Sequence, residues 1–392
     1  MQSDSQRYHQ ILIPLIKISI DTSSELRSSY LSEDGLELLS IVLMQTPSDS
    51  VSPGLISLVQ YVLQLVDIRS AKKTLDIIEL YIYLIPTEIL ANVAAVLAPL
   101  VSLLRSARRE GTGTATSLVD ILIRQADCLG GIPAVSDLTQ SLLSSRWLSA
   151  TLAGLHDAFL AHQTSGPNRT ISSIDGVVET DYLNVLARLA VASPSIFITA
   201  LDATKYGDDK PQEILSQKLD WLLTEWFSHM DSIGHPVHKK LHCLALTSLL
   251  ETGQPWILGR LQSLMTVVSE TTWRGTMLWW DKTNWNESQW TDVINELVID
   301  ASLQEGVVDK RDCLVYTDPD ASKPEGPESP ADLRIRLLEF KDPVHQIDVR
   351  NYVRDRLAVA IDSCGGMEAF QRDWVQNVDE DVVRGFGALG IV

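Results

Sequence analysis

The sequence is short of cysteine, of basic charge and of unbroken apolar runs, and each shortage argues against a class of protein. Four cysteines, Cys128, Cys243, Cys313 and Cys364, lie far apart with no C-x-x-C pair. They suit reduced, mostly buried thiols of a cytosolic or nuclear protein rather than a disulfide framework. Lys and Arg total 32 against 51 Asp and Glu, a formal net charge of −19. A chain with that deficit has no phosphate-tracking basic face, which argues against nucleic-acid binding. Its field suits a basic protein partner, although acidity also serves plain solubility. The most apolar stretch, 77–104, is interrupted by Glu79, Pro86, Glu88 and Pro99, so it lacks the roughly 20 apolar residues of a membrane span. The start, MQSDSQRYHQ, lacks the basic and apolar regions of a signal peptide. A soluble chain is expected.

Catalytic signatures are missing too. No G-x-S-x-G, H-E-x-x-H or G-x-x-x-x-G-K-[ST] occurs, so no enzyme and no cofactor are expected. Gly385, Gly387 and Gly390 match G-x-G-x-x-G in letters, but no strand precedes them and only two residues follow. The helix that would hold a pyrophosphate has no room.

What the chain has is helix, repeated. In Tyr30 to Pro47, YLSEDGLELLSIVLMQTP, Leu36, Leu38, Leu39, Ile41, Val42, Leu43 and Met44 fall within nine positions, the pattern of a helix buried on several sides. Ser32, Glu33 and Asp34 place capping oxygens at its expected start, and Thr46-Pro47 ends it. Leucine- and isoleucine-rich segments of helical spacing follow at 53–67, 71–84, 86–108, 117–129, 134–144 and 147–162. Gly130-Gly131 forms one of the breaks. Residues 163–176 read as a mobile surface loop. Helices resume at 180–191, 195–204, 212–230, 237–251, 255–268 and 287–303. Alternating β-branched runs are absent, so strands should be few.

Paired helices of this length give a period of about 40 residues, the mark of HEAT or armadillo repeats. The expected fold is therefore all-α, a HEAT-repeat superhelical solenoid built as a right-handed stack of helical hairpins. Three parts are expected: helical repeats over 1–303, an acidic, proline-rich linker over 304–330, and a C-terminal helical cap over 331–392. Within the linker, Thr317 to Pro330 should be mobile. In the cap Leu333, Leu337, Leu338, Val349, Val353 and Leu357 should turn inward.

Four local features could carry function. His235, His238, His242 and Cys243 have metal-ligand spacing, but no second cluster accompanies them, and the plainer reading is polar rings flanking the start of a helix. Trp273, Trp279, Trp280, Trp285 and Trp290 lie within 18 residues; they would fill an inter-helix corner or form a pocket for a partner's apolar anchor. The sequons at Asn168 and Asn286 carry no weight in a chain without a secretion signal. Asp292, Glu296 and Asp300 recur every four residues on one helical stripe, where like charges cost an isolated helix roughly 0.2–0.5 kcal/mol per pair. With Asp309, Asp318, Asp320, Glu325 and Glu328 they would form a negative cradle for a lysine- and arginine-rich segment. Neutralisation by a neighbouring helix, or solvation, would explain the stripe equally.

Two stretches resemble a known family. Asp21-Thr-Ser-Ser-Glu25 with Tyr30 to Pro47 is similar to the YLLEDGLELW helix of the importin-eleven branch of the karyopherin-β nuclear transport receptors. The run Lys341-Asp-Pro-Val-His345, Tyr352-Val-Arg-Asp-Arg-Leu357, Gly365-Gly366, Phe370 and Val378-Asp379 is similar to the end of that branch. Ser32 stands where the family usually has Leu, and Leu39 where it has Trp. The resemblance implies a HEAT-repeat receptor that shuttles between cytoplasm and nucleus and carries protein cargo through nuclear pores. It further implies that this chain is the C-terminal, cargo-binding half, with Ran-GTP contacts in repeats outside it and nuclear pore proteins as further partners.

Overall fold

The computed structural model describes residues 2–23, 25–66, 71–105, 109–164, 170–206, 214–277, 314–316, 318–320, 323 and 326–388. Among them every regular element is a helix. The chain forms two compact units: Met1–Val185 with Thr204–Lys210 and Pro324–Leu338, and Leu186–Ala203 with Pro211–Lys323 and Glu339–Val392.

The first unit begins with α1 (Gln2–Ile20) packed on α2 (Glu25–Gln45). Their approach explains the glycine of the EDGLEL motif, because a Cβ on Gly35 would lie 2.6 Å from the Ser19 Cβ. Helix α2 starts earlier than expected, since 25–31 contains neither proline nor glycine to stop it. Ser32, Glu33 and Asp34 are thus mid-helix, with Glu33 and Asp34 exposed. Leu36, Leu39, Val42 and Leu43 are buried, each worth roughly 1.5–3 kcal/mol of transfer free energy, whereas Ile41 remains 49% exposed. The helix has one apolar face rather than burial all round.

Segment 53–67 divides into α3 (Pro53–Ser57) and α4 (Val59–Gln64). Tyr81 closes this region from α5 (Ala71–Leu84), donating its hydroxyl to the Leu55 carbonyl at 2.9 Å. Segment 86–108 also divides, into α6 (Pro86–Ala91) and α7 (Val93–Arg105). The break is Asn92, whose side-chain amide donates back to the Glu88 carbonyl at 3.0 Å and competes with the helical ladder. Helix α8 (Arg109–Ser144) is kinked at Gly131, whose φ of 58° and ψ of −146° are non-helical, as the paired glycines predict. It packs on α5, α7 and α9 (Trp147–His162).

Residues 170–176, expected to be mobile, are tied down. Asp157 accepts the Ser173 N–H at 2.8 Å, and Asp175 caps α10 (Gly176–Ala192) through the N–H groups of Val177 and Val178.

The second unit takes in α11 (Pro194–Ala203), α12 (Leu215–His229), α13 (Pro236–Ser248), α14 (Pro255–Leu258) and α15 (Leu261–Met277). Beyond residue 330 come α16 (Pro330–Lys341), α17 (Pro343–Gln346), α18 (Val349–Ser363), α19 (Met367–Asp373) and α20 (Glu380–Ala388). In this unit α13 packs on α15 and α18, and α15 on α20. Trp226 is fully buried against Phe197, and its Nε1–H donates to His242 Nδ1 at 2.7 Å. Burial in this cluster, reinforced by His238, Arg188 and His229, lowers the His242 pKa to about 3. Lys218, 2% exposed, donates to the Leu201 and Asp202 carbonyls at the end of α11, so its charge meets the negative end of a helix.

The capping helices meet their expectation in part. Leu338, Val349, Val353 and Leu357 are buried, but Leu333 and Leu337 are 40% and 41% exposed. Arg336, two residues after Arg334, takes an inward position of α16 instead, and its charge is met there by Glu328.

Candidate functional site

The acidic candidates do not share one fate. Asp292, Glu296, Asp300, Asp309 and Glu325 lie outside the described residues. So do Trp279, Trp280, Trp285 and Trp290. Trp273 falls within α15.

Asp318 and Asp320 are exposed and sit on a short turn in the second unit. Asp318 accepts the Asp320 N–H through its side chain at 2.8 Å, and the Asp320 carbonyl accepts the Lys323 N–H at 3.1 Å. The turn is presented by a buried anchor just before it. Leu314 is 6% exposed and its carbonyl accepts from His345 Nδ1 at 3.1 Å. Tyr316 stacks on the His345 ring with centroids 4.2 Å apart and donates its N–H to the His345 carbonyl at 2.9 Å.

His345 is itself held in place. Asp342 caps α17 by accepting the Val344 N–H at 2.9 Å and pairs with Arg188 at 2.7 Å, both side chains nearly out of water. Burial lowers the His345 pKa, which keeps the ring neutral at physiological pH; the Leu314 carbonyl and Asp342 oppose the shift, while Lys240 and Arg188 add to it. The Lys341-Asp-Pro-Val-His345 run is therefore a structural knot beneath the acidic turn.

Glu328 has a different role from the one its sequence neighbourhood suggests. Arg336 donates to it through Nε at 2.7 Å and Nη2 at 2.9 Å, with the two side chains 7% and 11% exposed. Such a bidentate pair is a local brace, and its carboxylate faces an internal partner.

The histidine–cysteine quartet is split between surface and core. His235 and His238 are exposed, whereas His242 and Cys243 are fully buried with the His242 Nδ1 engaged by Trp226. No helix among the described residues is long and apolar enough to cross a membrane.

Sequence reasoning missed the long-range cationic contacts, Lys218 to the end of α11, Arg188 to Asp342 and Arg334 to the end of α2. The one available signal was a helix end without a glycine cap, as at Thr46-Pro47.

Comparison with known proteins agrees with the helical architecture. Mouse Importin-11 is 26% identical over 391 residues, covering 97% of this chain and 34% of the relative. The Schizosaccharomyces pombe importin beta-like protein kap113 is 25% identical over 213 residues, 53% of this chain and 18% of the relative. The chain thus spans about a third of the length of the curated importin-11 relatives it matches. A solved structure of Lph2, described as a bidirectional nuclear transport receptor of Saccharomyces cerevisiae, superposes with a TM-score of 0.68 at 19% identity, covering 97% of this chain and 36% of that one. The fold is that of the HEAT-repeat karyopherins, as the repeated helices predict. The model of importin-11-like proteins, described as TPR repeats, matches residues 1–274 and 287–391, and the chain belongs to this importin-11-like family of the importin-β receptors.

Proposed function

We propose that this chain is the C-terminal, cargo-binding portion of a nuclear transport receptor and that it carries basic protein cargo across the nuclear pore. The family match over nearly the whole chain carries the reading. The net charge of −19 and the exposed Asp318–Asp320 turn support a cationic cargo. In this reading Ran-GTP engages repeats outside this chain, nuclear pore proteins are further partners, and the receptor moves between cytoplasm and nucleus. The chain holds and releases cargo and performs no catalysis.

Asp292, Glu296 and Asp300 supply the main negative stripe, with Asp309, Asp318, Asp320 and Glu325 as flanking charge. A lysine- and arginine-rich segment would associate quickly and weaken with salt, because surface charges are screened over about 8 Å at physiological ionic strength. The test is the triple variant Asp292→Asn, Glu296→Gln, Asp300→Asn against a labelled Lys/Arg-rich peptide over a salt series. Helicity should be unchanged, while affinity falls and the salt dependence becomes shallower. Unchanged affinity and unchanged salt slope would place the cradle elsewhere.

A further inference from the structure

We infer that residues 326–338 form a strap latched by Arg334 onto the C-terminal end of α2, so that strap and helix end open together. The argument starts from the carbonyls of α2. A helix leaves its last four C=O groups without intrahelical donors. Here Thr46 supplies its hydroxyl to the Val42 carbonyl at 2.6 Å and its N–H to Leu43 at 3.4 Å. Pro47 then ends the supply, because it has no N–H to complete a glycine-type cap.

Arg334 completes the end from far away in sequence. It donates through Nη1 to the Thr46 carbonyl at 2.7 Å and through Nη2 to the Leu43 carbonyl at 3.1 Å. Leu43 and Thr46 are both 0% exposed, so water is poorly placed to replace the guanidinium. The cation also lies at the negative end of the helix dipole. The Arg334 side chain is half-buried, which lowers its pKa, and its Nε has no hydrogen-bond partner.

The strap is braced internally. Asp332 accepts the Ser329 N–H at 3.1 Å and its hydroxyl at 2.6 Å, and Ser329 Oγ accepts the Asp332 N–H at 3.2 Å. Glu328 and Arg336 form the pair described above. With Leu333 and Leu337 turned outward and only Ala331, Arg336 and Leu338 buried, the strap has little apolar surface to hold it. In a repeat stack, stability passes between sequence neighbours. A latch across 288 positions adds a link that this rule does not provide.

Native-state hydrogen exchange on the full chain tests the latch. In Arg334→Ala the amides of 42–46 and those of 331–338 should both exchange about tenfold or more faster, as loss of a charged, partly buried hydrogen-bond donor implies. Amides of α13 in the second unit should keep their wild-type rates. Arg334→Lys, which keeps the charge without the planar fork, should fall between. In Glu328→Gln, which loosens the strap's brace but leaves Arg334 in place, acceleration should appear in 42–46 and 331–338 together. Acceleration in only one of the two segments, or acceleration spread through the chain, would overturn the inference; so would an Arg334→Lys variant no better protected than Arg334→Ala.

Discussion

Arginine contacts help fasten the chain beyond residue 323 within each unit, and the most buried of them in the second unit differs in chemistry from the one in the first. In the first unit Arg334 meets backbone carbonyls at the end of α2. In the second, Arg188 meets the Asp342 carboxylate, with the side chains 7% and 3% exposed. A cation on a helix end is a charge against partial charges, and its loss leaves orphaned carbonyls. A buried ion pair that loses one member leaves a full charge without its counter-ion in a medium that solvates it poorly. The second fastening should therefore be the harder to edit, even though its net contribution over a well-packed apolar pair is small.

The largest expected effect follows directly. Asp342→Ala should lower the stability of the second unit by about 3–5 kcal/mol, seen as an earlier urea midpoint in Trp226-dependent fluorescence, since it removes the buried carboxylate facing Arg188 and the cap of α17. Adding Arg188→Met to that variant should recover most of the loss. If the double variant is as unstable as the single one, the Arg188 charge is not the cause.

Arg334→Ala should cost less, about 1–2 kcal/mol, and the loss should be confined to the first unit. A thermal scan showing a drop as large as that of Asp342→Ala would erase the distinction between the two fastenings.

Acid should separate the units next. Burial lowers the pKa of His242, to about 3, and of His345, so both are neutral when folded near neutrality. Unfolding frees them to bind protons below about 6.5. Their contribution to stability is thus fully present above that pH and lost as pH falls through it, by up to about 1.4 kcal/mol per pH unit for each ring. Both rings belong to the second unit, whereas His9 is the lowered histidine described in the first. Urea midpoints from pH 7.5 to 5 should therefore fall faster for the second unit. His345→Phe, which keeps an aromatic ring against Tyr316, should flatten that slope.

The smallest structural effect is expected at the acidic turn. Asp318→Asn with Asp320→Asn should change stability by less than about 0.5 kcal/mol, as exposed positions do, because Asn at 318 retains a side-chain oxygen for the Asp320 N–H. Peptide association at low salt should nonetheless slow. A large loss of stability would show that the turn is part of the structural knot around His345.

Local pattern carried much of the fold. Helices 71–84 and 147–162 begin and end where their apolar spacing and flanking breaks place them, and the bend at Gly131 follows from paired glycines. Errors occurred where local signals were weak or had two meanings. Ser32-Glu33-Asp34 has the residues of a helix start, yet nothing upstream prevents helix, so α2 runs through it. Leu333 and Leu337 match an inward face by spacing, but Arg336 and Leu338 hold the buried positions. At the candidate site the exposure of Asp318 and Asp320 was legible from charge and proline. The engagement of Glu328 was not, because Arg336 lies eight residues away on a helix whose direction relative to the linker no pattern specifies.

By itself the sequence determined the all-helical class, the positions of many breaks, the excess of negative charge and, through its two family-like stretches, the importin-11-like kinship. These depend on periodicity, backbone restrictions and composition, which act within a turn or two or sum over the chain. Tertiary structure alone decided which buried or half-buried cation meets which distant partner. Lys218, Arg188 and Arg334 are separated from their partners by 16 or more residues in sequence. A backbone carbonyl carries no side-chain identity to match, so only the packed chain brings a particular arginine to the end of α2.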